Sequence, residues 1–225
     1  MTPTSDRSVV ADSLGVGVAT GVYGVSFGAI ATASGLDVWQ ACALSLLVFT
    51  GASQFAFVGV VAAGGSALTG ALTATLLGSR NTFYGLSIAQ RLDVRGWRRL
   101  AAAHLVIDES TAMSVTRDTR RHARLGFYWT GASVFVLWNA MTLVGALAGE
   151  AIGDPRTYGL DAAVVAAFVG LLWPRLVTTN ARLVAAVGAL AATALVPLVP
   201  SGVPIILGGA VAVTVGVALP RRATA

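Results

Sequence analysis

The chain has 225 residues, of which 56% are hydrophobic and 11% charged, and its mean hydropathy is +0.77. Soluble domains carry about 25% charged residues, so a soluble enzyme, a disordered chain and a nucleic-acid-binding domain are excluded. The composition describes a polytopic membrane protein. The 15 basic residues, all arginine, outnumber 10 acidic ones for a net charge of +5, and they gather in short stretches between apolar runs instead of forming one basic face.

A helix needs about 20 apolar residues to cross the hydrocarbon core. The first such run, 13–35, follows Asp6 and Arg7 and is punctuated by Gly17, Gly21, Gly24 and Gly28. Its length and its acidic start favour a span over a cleaved leader, and its glycines, mostly four apart, suit close helix packing. The second run, 39–63, contains the single Cys42, which has no partner for an internal disulfide, and is interrupted by Thr50-Gly51-Ala52-Ser53-Gln54. The third, 66–90, carries Arg80 near its middle and Thr69 and Thr73 on one face.

Segment 100–116 is too short and too polar for an ordinary span, since it holds His104, Asp108 and Glu109. Four further runs follow at 125–149, 160–174, 182–199 and 202–219. Arginines cluster at positions 91–99, 117–124 and 221–222. Cytoplasmic loops of membrane proteins concentrate arginine, so these clusters and the C-terminus are assigned to the cytoplasmic side of the cell inner membrane. Residues 175–182, with Arg175 and Arg182, are placed there as well. Parity then requires segment 100–116 to enter and return, or to lie in the interface. A cytoplasmic N-terminus further requires a re-entrant segment among the first three, and the interrupted 39–63 is the best candidate. The expected fold is an all-α polytopic helix bundle of about seven hydrophobic segments with broken or re-entrant helices, forming one transmembrane domain over 1–225.

Chemistry is sought where polarity enters these runs. A Gly-Ala-Ser turn inside a helix frees backbone N–H groups, and such half-helix starts hold carboxylates in transporters. Gly51, Ser53 and Gln54 are therefore candidate binding residues, with interhelical hydrogen bonding as the plainer alternative. An arginine within the membrane is costly and requires a partner or water. For Arg80 that partner is Asp108 or Glu109. His104, four residues before Asp108, is expected on the same helix face, and intramembrane carboxylates mark ion paths and proton relays. No metal-ligand spacing, phosphate-cradling glycine loop or dinucleotide fingerprint occurs, so neither metal nor cofactor is expected.

Several stretches together resemble the AzlC family, the large subunit of branched-chain amino acid exporters. They are Gly21-Val22-Tyr23-Gly24-Val25-Ser26-Phe27-Gly28, Thr50-Gly51-Ala52-Ser53-Gln54-Phe55, Arg80-Asn81-Thr82-Phe83-Tyr84-Gly85-Leu86, Asp108-Glu109, and Gly159-Leu160-Asp161-Ala162 before a run ending at Trp173-Pro174. In this chain Gly78-Ser79 precede Arg80 where the family usually has Asn, and Ile107 stands where Thr commonly precedes the acidic pair. The resemblance implies a secondary active exporter of leucine, isoleucine and valine, with methionine as a further candidate. It also implies a small AzlD-type membrane subunit as partner.

A zwitterionic amino acid then needs a carboxylate site, an ammonium site and an apolar pocket. Gly51, Ser53, Gln54 and Arg80 are expected to serve the carboxylate, with Asn81 a further substrate-binding candidate. Phe55, Phe57, Phe83 and Tyr84 would line the pocket. Asp108, Glu109 and His104 would take the ammonium group or a coupling proton. The alternative is an accessory subunit or a channel, with transport determined by the partner. An enzyme is not expected: Gly51-Ala52-Ser53 resembles the serine turn of rhomboid proteases, but His104 and His122 both lie beside arginine-rich loops.

Overall fold

The computed structural model describes residues 5–152, 169–170 and 172–219. Most of the 160–174 run, the Gly159-Leu160-Asp161-Ala162 motif, and Arg221 and Arg222 lie outside the described residues. Among the described residues the structure is helical, without strands. Helices α1 (Asp6–Val22) and α2 (Gly24–Ala33) are nearly continuous, meeting at a turn at Tyr23. The span therefore begins seven residues before the apolar run, because Ser5 caps α1 by accepting from the Ser8 N–H. Together Asp6–Ala33 and α9 (Arg120–Ile152) are long and apolar enough to cross a bilayer.

These two long helices run parallel. Added Cβ atoms at Gly17, Gly21, Gly24 and Gly28 would strike, in turn, Ser133, Leu137, Trp138 and Thr142 of α9. Added at Gly145 and Gly149 they would strike Val25 and Thr32 in return. The glycine pattern is thus a packing seam, as small residues at one-turn spacing allow. The same register brings Asp12 to Arg117 at 3.0 Å, and Asp6 to Arg121 and His122. Arg91 donates to the Arg117 carbonyl at 2.8 Å, and Arg120 pairs with Asp93. The start of α1, the end of α6 (Arg80–Leu92) and the start of α9 therefore share one arginine-rich end.

Two broken segments enter from opposite ends. In the first, α3 (Val38–Leu47) runs antiparallel to α9, with Ser45 bonded to Thr142 and Phe49 edge-on to Phe135 at 5.1 Å. The chain turns at residues 48–51 and returns as α4 (Ala52–Ala62). Gly51 has φ +62°, a conformation that glycine enters freely because it has no Cβ. The α4–α5 turn then lies at the far end, and α5 (Ala67–Gly78) with α6 leads back to the arginine-rich end. In the second, α7 (Arg98–His104) enters from the arginine-rich end, turns at residues 105–107, and returns as α8 (Asp108–Val115) toward the start of α9. Added Cβ atoms at Gly131 and Gly126 would meet Leu105 and Met113 in that order.

Both tips are closed by the same device. Gln54 Oε1 accepts from the Gly51 N–H at 3.0 Å, and Ser110 Oγ accepts from the Ile107 N–H at 3.1 Å. In each case the third residue of the second helix caps the donor preceding it, as helix starts require. The tips meet beside residues 131–135, midway along α9, where Phe49, Ile107 and Val134 share one apolar cluster. Both 39–63 and 100–116 are broken and turn back on themselves, the helix breaks expected there. The expectation for the third run is revised: 66–90 bends at Ser79, whose Oγ donates to the Leu76 carbonyl, so that Arg80 emerges at the bend.

Helices α10 (Thr179–Leu195) and α11 (Val203–Ala218) form an antiparallel pair, with Gly188 and Gly208 at their contact. Gly202 approaches Thr69 and Gly209 approaches Leu76, so α11 follows α5 toward the arginine-rich end.

Candidate functional site

Where the two tips meet, the chain lines an open cavity of about 900 Å³. Its polar wall is built from Thr50, Gly51, Arg80, Asp108, Glu109 and Arg175. The apolar wall includes Tyr23, Phe55, Val134 and Trp138. Phe55, Phe27 and Trp138 hold one another in place, with Phe27 edge-on to Phe55 at 5.4 Å and Phe55 edge-on to Trp138 at 6.3 Å. Ala52 and Asp108, the first residues of α4 and α8, both line the cavity. Two helix starts thus present orphan N–H groups and positive dipole ends to one space.

The charges within the cavity form a chain. Asp108 Oδ2 lies 3.4 Å from Arg80 and 3.0 Å from Arg175. Arg80 also donates to the Thr50 carbonyl at 3.5 Å. One guanidinium therefore bridges both tips, touching backbone on the first and carboxylate on the second. Asp108 Oδ1 and Arg80 Nε are buried without a hydrogen-bond partner. Glu109 borders the same space and makes no salt bridge among the described residues. Arg80, Arg175, Asp108 and Glu109 sum to no net charge but offer both signs, which suits a zwitterion better than a simple ion.

The predicted residues are only partly brought together. Gly51, Phe55, Arg80, Asp108 and Glu109 line the cavity. Gln54 does not: it is fully buried and its Nε2 donates to the Leu44 carbonyl, clamping the end of α3 to the start of α4. Ser53 is also buried away from the cavity, facing Gly78 with its hydroxyl unpartnered. Asn81 follows Arg80 by about 100° around the helix and lies outside the lining, with its Oδ1 buried and unpaired. Tyr84, one turn beyond Arg80, approaches Asp108 from outside the lining.

The expected helix face shared by His104 and Asp108 is absent. Residues 105–107 are non-helical, so the two belong to different helices. His104 packs instead edge-on to Phe135 at 5.5 Å and tilted against Phe49 at 6.1 Å. Phe57 packs at Gly70 and Phe83 is 70% exposed, so neither forms part of the pocket. The sequence gives no sign of Trp138 and Tyr23, which carry no polar mark, or of the pairing that Arg175, assigned to a loop, makes with Asp108. Arg175 leaves the short 3₁₀ turn Trp173–Arg175 to pair with Asp108. No local signal links Arg175 to Asp108, because 67 residues of chain separate the two.

The family model for the AzlC protein matches residues 15–152, which hold both re-entrant tips, Arg80, Asp108 and Glu109. The chain belongs to the AzlC family. An uncharacterized membrane protein of Archaeoglobus fulgidus is 33% identical over 168 residues, covering 74% of each chain. The inner membrane protein YgaZ of Escherichia coli is 28% identical over 146 residues, 63% of this chain and 60% of its own. An uncharacterized membrane protein of Helicobacter pylori is 26% identical over 154 residues, 67% of this chain and 66% of its own. The chain thus spans roughly two thirds of the length of these relatives. No solved structure matches it. This AzlC-family chain is a helical membrane protein, and Arg175 and the α10–α11 pair lie beyond the matched region.

Proposed function

We propose that this AzlC-family protein is a secondary active exporter of leucine, isoleucine, valine and methionine. It works with a small AzlD-type subunit in the inner membrane, its arginine-rich end facing the cytoplasm. The observation that carries this reading is the pairing of opposite charges with an aromatic wall where two broken helices meet. Broken helices at mid-membrane are the recurrent binding element of secondary transporters.

The substrate carboxylate takes the position on Arg80 and Arg175 that Asp108 now holds. Its ammonium group pairs with Glu109. Its side chain lies against Phe55 and Trp138. Leucine and valine differ by one methylene, worth about 1–3 kcal/mol in a pocket, so overlapping specificity follows. Exchange of the internal carboxylate for that of the substrate releases Asp108 from Arg80, the side chain that joins the two tips. Binding is thereby linked to their separation.

The test is efflux of preloaded radiolabelled leucine from cells expressing the chain with and without its AzlD-type neighbour, with membrane potential and proton gradient collapsed separately. Saturable efflux that requires both proteins is expected. Efflux by the small subunit alone, or flux that does not saturate, would reject the reading. Glu109→Gln is expected to reduce leucine efflux about tenfold or more, in line with the cost of losing a charged hydrogen-bond partner, and to alter its dependence on external pH. Unchanged efflux at every external pH removes Glu109 from the mechanism.

A further inference from the structure

A second pocket, of about 560 Å³, lies at the arginine-rich end between the α6–α7 turn and the first turns of α9. Arg95, Arg98 and Arg124 are among its lining residues, and none of them pairs with a carboxylate among the described residues. The acidic lining residue Asp93 is engaged by Arg120 at 3.2 Å. The pocket therefore carries excess positive charge. Its floor is apolar, with Ala102 and Leu105 beside the ring of Tyr128. Trp97 lies at the edge, 74% exposed, with Arg98 at 5.9 Å from its ring centroid. Leu100 beside it is 76% exposed.

Depth identifies the occupant. The 33 residues of α9 extend about 50 Å at 1.5 Å per residue, beyond the roughly 30 Å hydrocarbon core. Arg124, one turn from its start, therefore lies at headgroup level. Exposed tryptophan beside arginine is an interfacial arrangement, and basic pockets at such a level accept lipid headgroups. A free anion has no use for the apolar floor, whereas a phospholipid covers it with its glycerol and first methylenes.

We propose that this pocket is a binding site for one anionic phospholipid, its phosphate held by Arg95, Arg98 and Arg124. The probe is phosphatidylglycerol, compared with phosphatidylcholine by native mass spectrometry of the full chain transferred from mixed vesicles. Retention of phosphatidylglycerol is expected to exceed that of phosphatidylcholine at least about tenfold, at roughly 1 kcal/mol for each arginine near the anionic surface. The triple exchange Arg95→Gln, Arg98→Gln and Arg124→Gln is expected to abolish the preference. Arg7→Gln with Arg99→Gln, which lie outside the pocket, is expected to retain it.

A second measurement does not depend on the folding of the triple variant. Brominated phosphatidylglycerol is expected to quench Trp97 emission more than brominated phosphatidylcholine at equal mole fraction, a difference lost in Trp97→Phe. Equal retention of the two lipids by the wild-type chain would overturn the proposal. Displacement of phosphatidylglycerol by millimolar inorganic phosphate would also overturn it, by identifying a free-anion site.

Discussion

Arg80→Gln is expected to lower saturable leucine efflux by about two orders of magnitude, the scale of loss when a positioning contact in a site is removed. Arg80 touches both tips at once, through the Thr50 carbonyl and the Asp108 carboxylate. Gln is too short to span them and carries no charge for a substrate carboxylate. Losing one partner of an enclosed ion pair costs up to about 3–5 kcal/mol. Here the side chains are 22% and 27% exposed, and Arg175 remains on Asp108, so about 1–2 kcal/mol of stability is the expected loss after solvent screening. Arg80→Lys keeps the charge but lacks the planar fork, and should retain intermediate activity. Efflux assays normalised to membrane-inserted protein separate the two effects. Full activity in Arg80→Gln removes the guanidinium from the site.

Gly28→Leu should prevent accumulation of folded protein altogether. Even one added carbon at Gly28 would press on the Thr142 carbonyl and the Ala146 amide of α9. Both are backbone groups, which have no rotamer to change. Within a bilayer the helices gain their affinity from this close approach. Overpacking costs about 1–3 kcal/mol in yielding cores and more where the backbone itself must move. Gly15→Ala is the control, since nothing lies within 4 Å of the added carbon. Thermal unfolding followed by size-exclusion chromatography is expected to show Gly15→Ala near wild type and Gly28→Leu aggregated. Equal stability of the two would contradict the parallel packing of α1–α2 against α9.

How much of this was legible in the sequence depended on whether the signal was local. The break at Gly51 could be read because a Gly-Ala-Ser turn inside an apolar run conflicts with a continuous helix. The return of segment 100–116 followed from arginines on both sides of it. The seam glycines declared their spacing. Side-chain direction was not legible. Ser53 and Gln54 are polar and adjacent to the break, yet Gln54 serves its internal closure and Ser53 is buried against Gly78, while Thr50 and Gly51 face the cavity. His104 lost its predicted relation to Asp108 because the helix stops between them. Arg175 required tertiary structure, being far from Asp108 along the chain.

In the proposed mechanism the cavity between the two tips receives the amino acid. A cysteine introduced as Ala52→Cys, with Cys42→Ser to remove the native thiol, tests it directly through its rate of labelling by a water-soluble maleimide. Saturating leucine is expected to slow labelling at position 52 several-fold, while Arg99→Cys in the same background is unaffected. Labelling at position 52 unchanged by leucine, isoleucine, valine and methionine in a chain that exports them would place the substrate elsewhere.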